Sequence, residues 1–236
     1  MKTVVLSLGG SVLVPSLESN TVQRYKKALI ELSRECSLYA VIGGGGEARR
    51  YINAARSLGI DEASSDELGI AVTRLNAALL MGALGDAAYP KIATTYEEAR
   101  AFSEHGKIVV MGGVTPAQTT DAVTAVLAER VHADVMINAT SVDGIYSADP
   151  RKTPDARRYD YLTPEEMVRI IAGERLSAGA NTVIDIVAAK VIQRSRIPLV
   201  VIDGRDPENL KRAVLEGIFS GTVVSEKHLN PLPIRG

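Results

Sequence analysis

The chain has 236 residues, a hydrophobic fraction of 46% and a formal net charge of −1. That length suits one large α/β domain or two small ones, and the apolar content is too high for a disordered chain. A charge balance this close to zero excludes a global field that would gather nucleic acid or an acidic membrane surface, so any anionic ligand has to be held by local groups.

The first predicted strand covers 3–8, where Val4-Val5-Leu6-Ser7-Leu8 is an apolar run ending in Gly9-Gly10-Ser11. Paired glycines at a strand end let the chain turn sharply and expose amides to a phosphate, although a plain tight turn uses them too. With a strand this early and no basic leader ahead of it, no signal peptide is expected. A helix at 20–35 leads to a strand at 38–42, which runs into Gly43-Gly44-Gly45-Gly46. Four consecutive glycines cost backbone entropy, and a turn needs one or two, so the surplus points to close approach of a ligand. Arg49 falls in the first turn of the next predicted helix, 47–57. Its guanidinium can swing back over the glycine loop to meet a phosphate, or remain a solvated helix charge. Helix N-termini after such loops add partial positive charge.

Helices are predicted at 66–84 and 96–104 and strands at 89–93 and 107–111. The last of these strands is nearly all apolar, as a strand covered on both faces should be, and ends in Gly112-Gly113. Val114-Thr115-Pro116-Ala117-Gln118-Thr119-Thr120-Asp121 then enters a helix at 119–131. Thr119 or Thr120 would cap that helix and present donors to an anion. Asp121, in the same mouth, could hold a magnesium-bound water, orient a cation or act as a cap. A strand at 134–138 runs into Thr140 and Ser141, and Asp143-Gly144-Ile145-Tyr146 is expected to turn a short hairpin. Ligands of open α/β sheets bind at such strand ends, so Tyr146 could flank a base and Asp149 bind a ribose hydroxyl or cap a turn. The polar, proline-bearing stretch 149–158 is the best loop or subdomain boundary. Helices at 164–172, 181–195 and 207–216 and strands at 198–202 and 222–225 complete the chain, and Asp185 lies in the first turns of the helix at 181–195, where the helix dipole favours a carboxylate.

Alternating strands and helices argue for a mainly parallel sheet with helices on both faces. The single cysteine, Cys36, fits a reducing cytoplasm and the role of a small apolar filler. His105, His132 and His228 are scattered and belong to no catalytic motif. The absence of Trp argues against stacking platforms for single-stranded nucleic acid, and no apolar run reaches the about 20 residues of a membrane helix. Gly9-Gly10-Ser11 lacks the Gly-x-Gly-x-x-Gly spacing of a dinucleotide-binding dehydrogenase.

In order, Gly9-Gly10-Ser11, Gly43-Gly44-Gly45, Met111-Gly112-Gly113, Thr119-Thr120-Asp121-Ala122, Val142-Asp143-Gly144-Ile145-Tyr146, Ala148-Asp149-Pro150 and Val183-Ile184-Asp185 resemble the amino acid kinase superfamily, and within it the UMP kinases of the archaeal type. The resemblance implies a single domain over 1–236, with the acceptor-binding part mainly in 1–130 and the ATP-binding part mainly in 131–236. It implies an α/β fold, a three-layer αβα sandwich around a mainly parallel, roughly eight-stranded sheet. The implied reaction moves the γ-phosphoryl group of MgATP to UMP, giving UDP and ADP, in a cytoplasmic homo-oligomer, a hexamer built as a trimer of dimers. Carried over residue by residue, Gly9, Gly10, Ser11, Gly45, Arg49, Thr140, Ser141, Tyr146 and Asp149 would bind ATP. Gly44, Asp66, Val114, Thr115, Pro116, Ala117, Gln118, Thr119 and Thr120 would bind UMP. Arg49, Asp121 and Asp185 would organise the transfer, and Mg²⁺ would arrive with ATP, without an assigned protein ligand set.

Many superfamily members carry a lysine two residues before the first glycine pair; here that position is Ser7, a departure that resembles the archaeal type. A second lysine, expected just before Val183, is Thr182. Arg49, Mg²⁺ and Lys190 are then the candidates for offsetting the transferred charge. The alternatives are another acceptor (carbamate, an acyl amino acid or isopentenyl phosphate) and a nucleotide-binding protein without catalysis.

Overall fold

The computed structural model describes residues 1–150, 152–174 and 183–234. In chain order it runs β1 (Lys2–Leu8), α1 (Gly10–Leu13), α2 (Val22–Leu32), β2 (Cys36–Ile42), α3 (Gly45–Ser57), α4 (Glu62–Leu84), α5 (Tyr96–Ser103), β3 (Val109–Met111), α6 (Thr120–Arg130), β4 (Val135–Thr140), β5 (Tyr161–Leu162), α7 (Pro164–Glu174), α8 (Ile186–Ser195), β6 (Leu199–Asp203), α9 (Pro207–Glu216) and β7 (Gly221–Val224). The strands form one sheet in the order β3-β2-β1-β4-β6-β7-β5. All neighbours are parallel except β6 and β7.

Alternation along the strands splits the core into two layers. Val4, Leu6 and Leu8 of β1 face one side with Leu29 of α2, Leu80 of α4 and Leu210 of α9. Val5, Val41, Met136 and Val201 face the other, with Phe102 of α5, Leu127 of α6, Met167 of α7 and Ile192 of α8. Helices therefore cover both faces of a mainly parallel sheet, as expected. Each fully buried leucine in these layers contributes about 2 kcal/mol.

Parallel pairing has a directional consequence. The C-terminal ends of β3, β2, β1, β4 and β6 lie along one edge of the sheet. From β1 the chain builds outward through β2 to β3, then returns to lay β4 against the other side of β1. That reversal leaves a crevice beside the end of β1, where open sheets of this kind take ligands.

Some sequence expectations are corrected. The strand expected at 89–93 makes only isolated parallel bridges, Ala88 to Ile108 and Ala93 to Met111. Pro90 lies between them and has no N–H to give a ladder, so this stretch adds no strand, and the described sheet reaches seven strands with the short β5, which was not expected. The expected Asp143-Gly144 hairpin turn is displaced. Tyr146 pairs antiparallel with Arg158, and the loop between these arms is 147–157. Gly144 lies ahead of the first arm with φ 149°, against Thr222 and Arg158. The short α1 was not expected. α4 begins at Glu62 because the Asp61 carboxylate accepts from the Ser64 N–H. Glu62–Ala87 is long and apolar enough to cross a membrane by length and composition, which the reading of short apolar runs missed. Its inner face carries Ser65, Thr73, Asn76, Ala77 and Leu80 into the protein, as a core helix does. Cys36 is buried, donates weakly to the Leu32 carbonyl, and has its thiol pushed up to about 12 by desolvation.

Candidate active site

Two of the glycine loops interlock at the crevice. A Cβ on Gly10 would come within 2.3 Å of the Gly43 carbonyl oxygen and of the Gly45 nitrogen, and one on Gly43 within 2.6 Å of the Gly10 nitrogen. Real Cβ atoms do not approach backbone that closely, so the loops after β1 and β2 touch only because both are bare. Gly45 also has φ 64°, the left-handed region that glycine enters without penalty. Much of the glycine surplus read from the sequence is therefore spent on loop-to-loop packing. The Val12 and Leu13 N–H groups of α1 donate to the Gly9 carbonyl at 2.9 and 3.0 Å and the Ala48 N–H of α3 to the Gly44 carbonyl at 3.3 Å, so only the amides ahead of them at each helix start lack an intrahelical acceptor beside this contact. Arg49 lies one turn inside α3, because α3 starts at Gly45 rather than 47. Its Nη2 reaches 3.4 Å from Ser11 Oγ, which brings its guanidinium over both loops.

The third glycine pair meets α4. A Cβ on Gly112 would lie 2.8 Å from the Thr73 hydroxyl oxygen, and the Gly113 N–H donates to that oxygen at 2.6 Å. The Gly113 amide is thus already engaged within the protein. Arg74 Nε donates to the Gly113 carbonyl at 3.2 Å. Asp66, on the first turns of α4, accepts from the Ala117 N–H at 2.7 Å and so pins the middle of the 114–118 segment. Between α4 and this segment lies a cleft of about 640 Å³, lined by Glu67, Ile70, Arg74, Leu75, Val114 and Pro116. That volume is in the range of small-ligand sites.

The acidic pair stands where α6 and α8 reach the crevice. Thr119, not Thr120, caps α6: its hydroxyl oxygen accepts from the Ala122 N–H at 3.1 Å. The same hydroxyl donates to Asp185. Asp185 is the N-cap of α8 rather than a residue of its first turns, accepting from the Val187 and Ala188 N–H groups at 2.7 and 3.1 Å. Asp121 accepts from the Ser7 hydroxyl at 2.9 Å. Desolvation, with the nearby Asp185 charge adding to it, pushes the Asp121 carboxyl up to about 7, against the lowering effect of the Ser7 hydrogen bond.

Ser7 and Asn138 are register neighbours on β1 and β4, each 2% exposed. Asn138 Nδ2 donates to the Val183 carbonyl at 3.2 Å, holding the lead-in to Asp185. A polar pair facing the α6–α8 layer from inside two buried strands thus supports both carboxylates. The sequence signal was available, since each is a polar residue within an apolar strand. Lys190 is exposed and donates to Gln193 at 3.1 Å, on the surface of α8. Thr182 lies outside the described residues.

On the far side, Thr140 ends β4 and its carbonyl accepts from the Gly204 N–H at 2.8 Å; Ser141 follows, exposed. The Tyr146 hydroxyl donates to Asp143 at 2.8 Å, and Arg158 Nη1 donates to the other oxygen at 2.9 Å. Asp149 turns the chain, its carbonyl accepting from the Lys152 and Thr153 N–H groups at 3.0 and 2.9 Å. Arg158 was not foreseen as part of this cluster. His105 packs its ring on Tyr89, and His228 lies 3.6 Å from Glu166; neither stands with the residues of the crevice.

A parallel sheet that gathers glycine loops, capped helices and a carboxylate pair along one carboxyl edge defines an αβα sandwich with its ligand crevice at the strand ends. The model of the amino acid kinase family matches residues 2–203, and the chain belongs to that family. It is 65% identical over 233 residues to a uridylate kinase of Methanoculleus marisnigri, covering 99% of this chain and 100% of the relative. A uridylate kinase of Methanocorpusculum labreanum is 59% identical, with 95% and 96% covered. The crystal structure of uridylate kinase from Archaeoglobus fulgidus superposes with a TM-score of 0.84 at 46% identity, over 95% of this chain and 100% of that one.

Proposed function

We propose that the protein is a UMP kinase, moving the γ-phosphoryl group of ATP to UMP to give UDP and ADP in pyrimidine nucleotide synthesis. The observation that carries this reading is the convergence of the 9–11 and 43–46 loops with Arg49 above them and the Asp121–Asp185 pair at the same sheet edge. Full-length identity to uridylate kinases supports the choice of acceptor.

In this reading Gly9, Gly10, Ser11, Gly45 and Arg49 bind the ATP phosphates, and Thr140, Ser141, Tyr146 and Asp149 its adenosine end. Gly44 meets the UMP phosphate, Asp66 the ribose, and Val114 through Thr120 line the cleft for the rest of the nucleotide. The chain acts as one domain, with the acceptor held mainly by 1–130 and ATP mainly by 131–236. The attacking phosphate oxygen is already ionised at neutral pH, so no general base is needed, which agrees with a crevice free of described histidines. The protein's work is to hold two anions in line and offset their charge, through loop amides, helix ends and Arg49.

Mg²⁺ suits this donor set. The described residues bring together no group of three His, Cys, Asp or Glu for one ion, and Mg²⁺ is ordinarily held by one or two carboxylates plus phosphate oxygens. Asp121 and Asp185 are the carboxylates that would hold it or its waters. When bound it neutralises charge on the transferred group. Leu68, Leu75 and Leu79 leave an apolar seam on the outer face of α4, Leu75 68% exposed, which supports a homo-oligomer. The buried free thiol of Cys36 suits the cytoplasm.

The test is coupled ADP release from MgATP with UMP, CMP, N-acetylglutamate and carbamate in parallel. UMP is expected to give the highest kcat/KM. Preference for a non-nucleotide acceptor would replace the acceptor assignment, and tight ATP binding with no ADP release from any acceptor would make the protein a non-catalytic binder.

A further inference from the structure

Asn76 lies in the interior of α4, 7% exposed, where a helix of this apolar character would ordinarily place an aliphatic residue. Its Nδ2 donates to the Gly43 carbonyl at 3.0 Å and to the Gly44 carbonyl at 3.4 Å. In a trans peptide the C=O and the following N–H point in opposite directions. Fixing the Gly43 oxygen against α4 therefore turns the Gly44 N–H to the side away from α4. Glycines on both sides give this peptide almost no φ/ψ preference of its own, so its plane is set by contacts: the Gly43 N–H on the Leu8 carbonyl at 2.9 Å, the packing against Gly10, and the Asn76 carboxamide, which alone holds the Gly43 oxygen by a side chain. The second contact, to the Gly44 carbonyl, pins the same residue from its other end.

We infer that Asn76 is a positioning residue that sets the Gly43–Gly44 peptide plane so that the Gly44 N–H faces an acceptor phosphate. The inference rests on the UMP kinase reading for the identity of that phosphate, not for the orientation itself. Thr73, one turn earlier, does the opposite at the next loop: it draws the Gly113 N–H inward at 2.6 Å and withdraws it from the crevice. A single helix thus decides which loop amide is offered and which is consumed. The cost of a buried carboxamide is offset by its bond to the buried Gly43 carbonyl, with the Gly44 carbonyl, which also accepts from the Ala48 N–H at 3.3 Å, as a second and longer contact.

The experiment compares Asn76→Ala, Asn76→Leu and Leu80→Ala with the wild type. Leu80 is fully buried one turn further along α4 and donates nothing, so its variant reports lost packing alone. With Asn76→Ala, kcat/KM for UMP is expected to fall about 10- to 100-fold while KM for ATP moves less than about three-fold. Leu80→Ala should lower the melting temperature with both kinetic constants near native. Equal losses toward UMP and ATP, or an Asn76→Ala profile matching Leu80→Ala, would overturn the inference. Asn76→Leu keeps the volume and removes the donor, and should reproduce the UMP defect if the alanine variant does not fold.

Amide hydrogen exchange on the ligand-free wild type decides the orientation without any variant. The Gly44 N–H should exchange rapidly and the Gly113 N–H slowly; a protected Gly44 amide would refute the geometry. If the wild type releases no ADP with UMP, the acceptor assignment fails while this exchange result still stands or falls alone.

Discussion

The two walls of the crevice are held by different physics. The 43–46 loop is fixed by neutral, buried contacts: glycine packed on glycine and the Asn76 carboxamide. The 143–149 wall is fixed by charge. Arg158 ties Asp143 and Asp160 at 2.9 and 3.2 Å, with Ser220 as a further partner. Burial would raise the Asp143 carboxyl, but hydrogen bonds from Tyr146 and Arg158 outweigh it and hold it below the ordinary carboxylate range. Neutral buried contacts ignore salt and pH, whereas ion pairs near the surface weaken as ionic strength rises. The wall assigned to phosphoryl transfer is thus the rigid one, and the wall assigned to the donor's base and ribose is the adjustable one.

The contrast is strongest at Arg49, a cation reaching over the rigid wall from an exposed position. Arg49→Ala should lower kcat by about 100- to 1,000-fold with an unchanged melting curve. A steady-state rate within a few-fold of wild type would break the comparison at its centre. Next come the carboxylates. Asp121→Asn and Asp185→Asn should each cost about 10- to 100-fold in kcat, with ATP affinity by calorimetry within a few-fold of native. Asparagine can still cap α8 at position 185, so lost turnover there is not lost folding.

On the adjustable wall, Arg158→Gln should raise KM for ATP by about 5- to 10-fold and leave KM for UMP alone. The wild-type KM for ATP should itself rise between low and high salt more than that for UMP. Equal salt responses would erase the distinction between the walls.

The smallest effect is on stability. The Asp121 carboxyl is raised in the folded state to about 7, above its unfolded value. Such a group holds its proton more firmly when folded, so the fold loses stability as pH rises from about 4 to 7, and nothing further is lost above that. Asp121→Asn should therefore be more stable than wild type at pH 8 by roughly 1–3 kcal/mol and no more stable at pH 4. Thermal melts at the two values check the sign.

The alternating order of elements was legible from the sequence because buried parallel strands are short, apolar and bounded by glycine. β1, β2, β4 and β6 fall within about two residues of their expected limits, and α9 coincides with its expected span, with Asp206 capping it and Gly217 at its end in the left-handed region. The 89–93 strand failed because its composition could not reveal how little of it finds a partner beside Pro90. Glycine was read correctly as a sign of close approach but with the wrong neighbour: the approach is largely of one loop to another, or of a loop to α4, which depends on tertiary distance. Asn76 and Thr73 were passed over as ordinary helix residues. Ser65, Gly69, Thr73 and Asn76 repeat at helical spacing on an otherwise apolar face, and that stripe of small and polar residues was the available signal.

The 114–118 segment, finally, is anchored at few points. Ala117 adopts φ 64°, a conformation that costs a non-glycine residue on the order of 1 kcal/mol, and it stays there with its N–H on Asp66. None of these five residues belongs to the sheet or to a helix. The segment runs between two fixed posts, the end of β3 and the cap at Thr119. Rewriting it would redraw what the cleft admits without disturbing the frame beneath, and such a division of labour gives a fold room to diversify its substrates.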